Sequence, residues 1–383
     1  MISRNQSSIV KILQKCDICS RSYLAKETGL TNAAITKLVA GLIEMGIVVE
    51  TGIITNGDNR RSIGLKLNAE KYQVIGVKFA RQMFSVGVFD ISGEMYHKTK
   101  REYSLDDDPQ KVIADIKKLI NSLLETYKNV TAIGIAVPGP YLRNEGRIAV
   151  VTRMAAWRNV NFIDEFKEAF GIPVFIEHDA NAGALAEWLF GGYEQSIHSL
   201  VYFLVGDGVG SGIIENEHIL RGTQGAASEI GHISIDAHGP RCECGNYGCL
   251  ELYCRADAML KKANLHDCDA VFEAARKGDK KALDAVKETA EYIGYGCVTL
   301  INAYNPNVIA IGDIMSQGGD LLLPIILDTV KQRVIPELYD NLQIKITELA
   351  VDPILYGAAA LATREILKRP SEFSGEFAAD LSN

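Results

Sequence analysis

An α/β body is predicted by two observations, and a separate head by a third. From about residue 72 onward, short β-rich runs alternate with helical stretches, the pattern of α/β architecture. Two such sets follow one another, each opening on strands in succession before a helix, which predicts two similar lobes with a cleft between them. Before residue 69 the pattern is different: three short helical stretches, then two strands around a polar loop.

In the head, Ile9, Ile12 and Leu13 have the i, i+3, i+4 spacing of one helix face. Ser20 is placed to cap a second helix, with Leu24 inward and Gly29 ending it. Thr31 is placed to cap a third, with Ile35, Leu38, Val39, Leu42 and Ile43 on one side and Gly46 at its end. IVVE and GLKLN then read as strands flanking TNGDNRRS. Two helices joined by a tight turn at Gly29-Leu30, followed by a hairpin, form a winged helix-turn-helix pattern.

In the body, VIGVKFA, FSVGVFD and AIGIAVPGP are the strands of the first set, with PQKVIADIKKLINSLLETY as a helix. VFIEHDA, SLVYFLVG, GSGIIEN and VIAIGD belong to the second, with ALDAVKETAEYIGYGCVTLINAYN helical and ILYGAAALATREILK as a closing helix. The expected organisation is a winged helix-turn-helix domain over 1–70, a first α/β lobe over 71–185, a second over 186–369 carrying a cysteine loop and the closing helix, and a flexible polar tail over 370–383.

Composition narrows the function classes. The 383 residues are 47% hydrophobic and 23% charged, ordinary values for a globular protein that argue against large-scale disorder, collagen and long coiled coils. No run reaches the roughly 18 apolar residues of a membrane span, and the N-terminus lacks the basic and apolar regions of a secretory signal. A cytoplasmic protein without a membrane partner is expected, its eight cysteines reduced or ligating metal. Residues 1–68 hold nine Lys and Arg against five acids, a net +4 in a chain of net −8. A basic head on an acidic body suggests that the head alone meets a polyanion.

The sharpest motif is EIGHISID followed by CECGNYGCLE. Cys242, Cys244 and Cys249 crowd into eight residues, ten after His232. Three thiolates and an imidazole suit tetrahedral Zn²⁺, and a full Cys₃His set leaves no open position for water, so the zinc would be structural. Gly245 and Gly248 would let the backbone wrap the ion.

The spacing of Glu229, His232, Cys242, Cys244, Cys249 and Glu251 resembles the signature of the ROK family, which groups sugar-responsive repressors with sugar kinases. The resemblance spans nearly the whole chain. It implies a two-lobed, actin-like (ribonuclease H-like, sugar kinase type) body, and the head is similar to that of the repressor branch, of which the xylose-responsive repressors are one subgroup. It further implies sugar contacts from Asp179, Glu229, His232 and Glu251, with His178 standing where the family usually has Asn. Carboxylates accept hydrogen bonds from sugar hydroxyls, and a ligating His keeps one ring nitrogen for another. Zinc would fix the loop that bears His232 and Glu251.

In the family's kinases the Asp at position 179 is the general base, but phosphoryl transfer also needs a cradle for ATP. The first phosphate loop of those kinases, D-x-G-G-T, is replaced by Lys78-Phe79-Ala80-Arg81-Gln82. The second, G-T-G-x-G, reads Gly206-Asp207-Gly208-Val209-Gly210, and the paired glycines of the adenosine region read Gly312-Asp313. No catalytic residue and no enzyme activity are expected. An ATP-dependent sugar kinase with an accessory DNA-binding head is the alternative.

In the head, Thr31, Asn32, Thr36 and Lys37 open the third helix. Asn pairs bidentately with adenine in the major groove, while Thr and Lys more often hold phosphate. Arg60 and Arg61 lie at the wing, suited to phosphate or a narrow minor groove. Cys16 and Cys19 form a C-x-x-C that would be a redox or metal pair, but no second ligand pair lies near in sequence, so a loop position is expected. The expected protein is a sequence-specific transcriptional repressor with a sugar effector. It would act as a homodimer or homotetramer on a palindromic double-stranded operator.

Overall fold

The computed structural model describes residues 3–55, 61–149, 154–194, 196–349 and 352–373. The chain divides into two compact units. One comprises 1–136, 162–176 and 358–383; the other comprises 137–161 and 177–357.

The first unit opens with α1 (Arg4–Cys16), β1 (Cys19–Ser20), α2 (Arg21–Thr28) and α3 (Asn32–Glu44), then β2 (Val48–Thr55) and β3 (Arg61–Leu67). Ser20 caps α2 by accepting from the Tyr23 amide, and Gly29 ends it at φ +69°. Thr31 caps α3 through the Ala34 amide, and Gly46 follows at φ +70°. Ile9, Leu13, Leu24, Ile35, Val39 and Leu42 are buried and form the head's core, each contributing about 1.5–3 kcal/mol of burial. The three strands pair in the order β1-β3-β2. β2 runs further than IVVE, to Thr55, with a register shift between Glu50 and Ile53. Three helices and this small antiparallel sheet make the winged helix.

The rest of this unit holds β4 (Gln73–Phe79), β5 (Met83–Asp90), β6 (Met95–Glu102), α4 (Pro109–Thr126), β7 (Val130–Val137), and, after the short β8 (Tyr141–Leu142) and β9 (Arg147–Ile148) of the second unit, α5 (Phe162–Phe166) and β10 (Val174–His178), whose last two residues belong to the second unit. The sheet order is β10-β7-β4-β5-β6. β6, with the sequence MYHKTKRE, is an edge strand with much of its surface exposed. Its lysines suit a solvated edge, and its lack of an apolar face hides it from pattern reading. α4 buries Val112, Ile113, Ile116, Leu119, Ile120 and Leu123.

The second unit holds α6 (Asp179–Phe190), β11 (Ser199–Val205), β12 (Val209–Glu215), β13 (His218–Ile219), α7 (Glu251–Cys254), α8 (Ala256–Ala263), α9 (Cys268–Arg276), α10 (Lys280–Tyr304), β14 (Val308–Gly312), α11 (Gly319–Arg333) and β15 (Gln343–Ile346). Its sheet has the order β13-β12-β11-β14-β15, with β11 and β14 parallel. α10 packs against α8, α9 and α11 around a core that includes Phe203, Phe272, Ile293 and Leu300. Each sheet thus opens with three consecutive antiparallel strands, the third reduced to two residues in the second unit. α12 (Pro353–Lys368) closes the chain. Beyond it, Pro370–Glu372 forms a 3-10 turn, Phe373 is buried, and residues 374–383 lie outside the described residues.

Candidate functional site

His232, Cys242, Cys244 and Cys249 come together as a possible metal site, their ligand atoms all within 4.8 Å of one another. Cys244 Sγ lies 3.7 Å from Cys249 Sγ, and Cys242 Sγ lies 3.7 Å from His232 Nδ1. A tetrahedral Zn²⁺ with Zn–S bonds near 2.3 Å would set sulfurs about 3.8 Å apart, so the donor set fits in both chemistry and size. The loop closes by Cys242 N donating to Asn246 O at 2.8 Å. Gly245 and Gly248 have φ of +99° and +61°, and a Cβ on Gly248 would stand 1.9 Å from the Asp236 carbonyl. Burial pushes the Cys249 thiol up to about 11, and the Cys242 thiol moves the same way.

Glu251 opens α7 two residues after Cys249, and is buried. It accepts from Cys242 Sγ at 3.4 Å and lies 3.6 Å from His232 Nδ1. Across the second unit, His178 ends β10 and Asp179 begins α6. Asp179 Oδ1 lies 3.0 Å from His178 Nε2 and accepts from the Ala180 amide at 2.6 Å. Burial opposes charge on His178, but Asp179, Glu229 and Glu177 outweigh it and raise its pKa to about 9. Glu229 is raised by burial and by Asp179 and Glu251, against the pull of His178 and His232. His178, Asp179, His232 and Glu251 therefore stand within electrostatic reach of the Glu229 carboxylate. Glu229 Oε1 is buried without a hydrogen-bond partner, which is costly unless something donates to it. Gly139, in the GIAVPGP turn, abuts the imidazole: a Cβ there would meet His178 Nε2 at 2.1 Å.

Sequence reading missed Glu177, Asn181 and Arg221. Glu177 is buried and accepts from Arg221 Nε at 2.7 Å and Asn181 Nδ2 at 3.1 Å. The partners are 44 residues apart, and nothing in the local pattern signals the pair.

In the head, Asn32, Thr36 and Lys37 are exposed on the first turns of α3. Thr31 is also exposed, with its hydroxyl engaged as the cap. Arg61 begins β3; Arg60 lies outside the described residues. Cys16 donates to the Ile12 carbonyl at 2.8 Å, and Cys19 is buried in β1. The described residues gather no third metal ligand around them.

The stretches that resemble phosphate loops in sequence make local contacts of their own. Gln82 and its neighbours form a tight turn in which Tyr103 donates to the Ala80 carbonyl and Ala80 N donates to Met83 O. Phe79 stacks on Tyr103 at 5.8 Å. In the second unit, a Cβ on Gly206 would meet Asp313 Oδ2 at 1.9 Å, and one on Gly312 would meet Tyr202 Oη at 2.2 Å.

The ROK family model matches residues 74–365. The chain belongs to the ROK family. The match begins just after the winged helix, and relatives that share both parts are named regulators. The chain is 29% identical to the xylose repressor of Caldicellulosiruptor bescii, with 96% of this chain and 97% of that one covered. It is 27% identical to the DNA-binding transcriptional repressor Mlc of Escherichia coli (strain K12), covering 93% and 92%. A solved ROK family transcriptional regulator, a homolog of the E. coli Mlc protein, superposes with a TM-score of 0.71 at 29% identity, over 93% of this chain and 95% of that one. A ROK family glucokinase from Streptomyces griseus, solved with glucose and AMPPNP, has a TM-score of 0.68 at 27% identity, but covers 76% of this chain and 99% of its own. The body has the actin-like fold shared by these regulators and sugar kinases. Full-length repressor relatives agree with the expectation that the chain is not an enzyme. Among the described residues no helix is long and apolar enough to cross a membrane.

Proposed function

We propose that the protein is a cytoplasmic, sequence-specific DNA-binding repressor whose DNA affinity is set by a sugar held in the second unit, close to a structural zinc site. The carrying observation is the buried, unpartnered Glu229 Oε1 in a cluster with Asp179, His178 and Glu251, in a chain that also has a winged helix. A hydroxyl-rich ligand supplies the missing donors. His232, Cys242, Cys244 and Cys249 would hold the zinc, which when bound fixes the loop ending at Glu251. Thr31, Asn32, Thr36, Lys37 and Arg61, with Arg60, would contact the operator. A homodimer or homotetramer would match a palindromic site. The sugar acts by binding two conformations of the protein unequally.

The test selects DNA from a random pool with the purified protein, then titrates D-xylose, D-glucose and N-acetyl-D-glucosamine against the complex. Selection of a single consensus and a sugar-dependent change in affinity are expected. Absence of any preferred sequence would overturn the reading, and sugar phosphate formed from Mg-ATP would establish the kinase instead.

A further inference from the structure

Ser228, immediately before Glu229, has φ +66°, a left-handed conformation that is uncommon outside glycine and persists where its surroundings impose it. The imposing contact comes from β12. Ser211, fully buried, donates its hydroxyl to the Ser228 carbonyl at 3.0 Å, and the two hydroxyl oxygens are 2.5 Å apart. The Ser228 hydroxyl is therefore free to donate back to Ser211 Oγ. The same Ser228 carbonyl accepts from the Ile230 amide at 2.7 Å, and the Glu229 carbonyl accepts from the His232 amide at 3.0 Å. Both ends of the Glu229 peptide are thus tied down.

β12 holds the opposite side of the cluster as well. Side chains alternate across a strand, so Gly210 and Gly212 face away from Ser211. A Cβ on Gly212 would stand 2.1 Å from the Ala180 carbonyl, and one on Gly210 would stand 3.6 Å from Ala180 Cβ. The first turn of α6, which carries Asp179, lies on that face. A Cβ on Gly231 would meet the Val209 carbonyl at 2.1 Å, which seats the Glu229–His232 turn on the start of the same strand. One strand therefore sets two carboxylates from two elements, and Gly210, the last glycine of the stretch that resembles a phosphate loop, lies in this packing.

We propose that Ser211 and Ser228 are positioning residues: their hydroxyl pair holds the strained peptide that aims Glu229 at the hydroxyls of a neutral sugar. The inference rests on the sugar-binding role proposed above. It is tested with Ser211→Ala, Ser228→Gly and the double variant. The measurements are calorimetry with D-xylose, D-glucose and N-acetyl-D-glucosamine, amide hydrogen exchange, and zinc content. Ser211→Ala weakens sugar binding about tenfold, the loss of one or two hydrogen bonds, and speeds exchange across Glu229–His232 with zinc content unchanged. Adding Ser228→Gly restores much of the affinity, because glycine takes a positive φ without strain and needs no clamp; simple loss of packing at Ser211 would not be rescued this way. Wild-type affinity and exchange in Ser211→Ala, or a double variant no better than the single, overturns the proposal. If none of the three sugars binds the wild type while exchange still responds to Ser211→Ala, the sugar reading falls and the positioning role stands.

Discussion

Gln14 on α1 donates its side-chain amide to the backbone carbonyl of Ile91, 3.0 Å away and 77 residues along the chain. The Ile91 amide in turn donates to the Tyr72 carbonyl at 3.3 Å, and the buried Tyr72 hydroxyl donates to the Met45 carbonyl at 3.2 Å, just past α3. The winged helix is therefore tied to the five-stranded sheet of its own unit by one run of hydrogen bonds. Gln14 Oε1, however, is buried without a partner, so the amide brings a gain and a cost. Gln14→Ala is expected to destabilise by about 1–2 kcal/mol, by losing a hydrogen bond and packing. Gln14→Met, which also removes the unpartnered oxygen, should cost less. Urea unfolding of the two variants checks the order.

His178 predicts a pH dependence. Its folded pKa, about 9, lies above the ordinary 6.5. The folded state therefore binds more protons than the unfolded one between those values, and the stabilisation is complete below about 6.5 and lost as pH rises through 9. His178→Gln should flatten the fall in stability across that window. An unchanged slope in thermal unfolding from pH 6 to 9.5 would show that other groups set it.

Metal removal should act locally. The wild type should carry about one zinc per chain and Cys244→Ser close to none, measured by elemental analysis after dialysis against a chelator. Because Glu251 follows the ligand loop directly, the variant should lose sugar response and gain hydrogen exchange from Cys242 to Glu251. Its DNA affinity without sugar should stay within about threefold, since the head has its own core.

Much of this was legible in the sequence because the signals are local. Ser20, Gly29 and Thr31 announce helix ends through chemistry within three residues, and the crowding of Cys242, Cys244 and Cys249 points to a ligand set. β6 was not visible, since an exposed edge strand of alternating lysines has no apolar face to read. Nor were Glu177 and Arg221, whose side chains pair across 44 residues of sequence. Ser211 lies in GSGIIEN, which reads only as a strand, and Ser228 carries no local signal; their role depends on a φ value and a contact 17 residues apart.

In the head, exposed side chains on α3 and at the wing are expected to divide the work of binding DNA. Arg61→Ala should weaken binding to selected and random sequences alike and reduce the salt slope by about one. Asn32→Ala should instead relax preference at one base pair, by about 1–3 kcal/mol. Fluorescence anisotropy at several salt concentrations separates the two; equal losses on every sequence for Asn32→Ala would assign that residue to phosphate.

The nucleotide side gives the last prediction. Within the second unit, Asp313 has φ +68°, and its carboxylate stands where any side chain at Gly206 would go. Gly206 closes the hairpin between β11 and β12, its amide donating to the Gly208 carbonyl at 2.9 Å, and Asp207 follows it. A phosphate brought to this hairpin would meet two carboxylates. At 4 Å and an effective dielectric near 20, each unit of like charge would repel by on the order of 4 kcal/mol, and Mg²⁺ would offset part of that. Calorimetry with Mg-ATP should therefore show no saturable heat, with or without sugar, and no sugar phosphate should form. Asp207→Thr with Asp313→Gly should relieve the repulsion and permit weak nucleotide binding without turnover, because Lys78 to Gln82 would still replace the other phosphate loop. Saturable ATP binding by the wild type would show that the carboxylates do not bar the site.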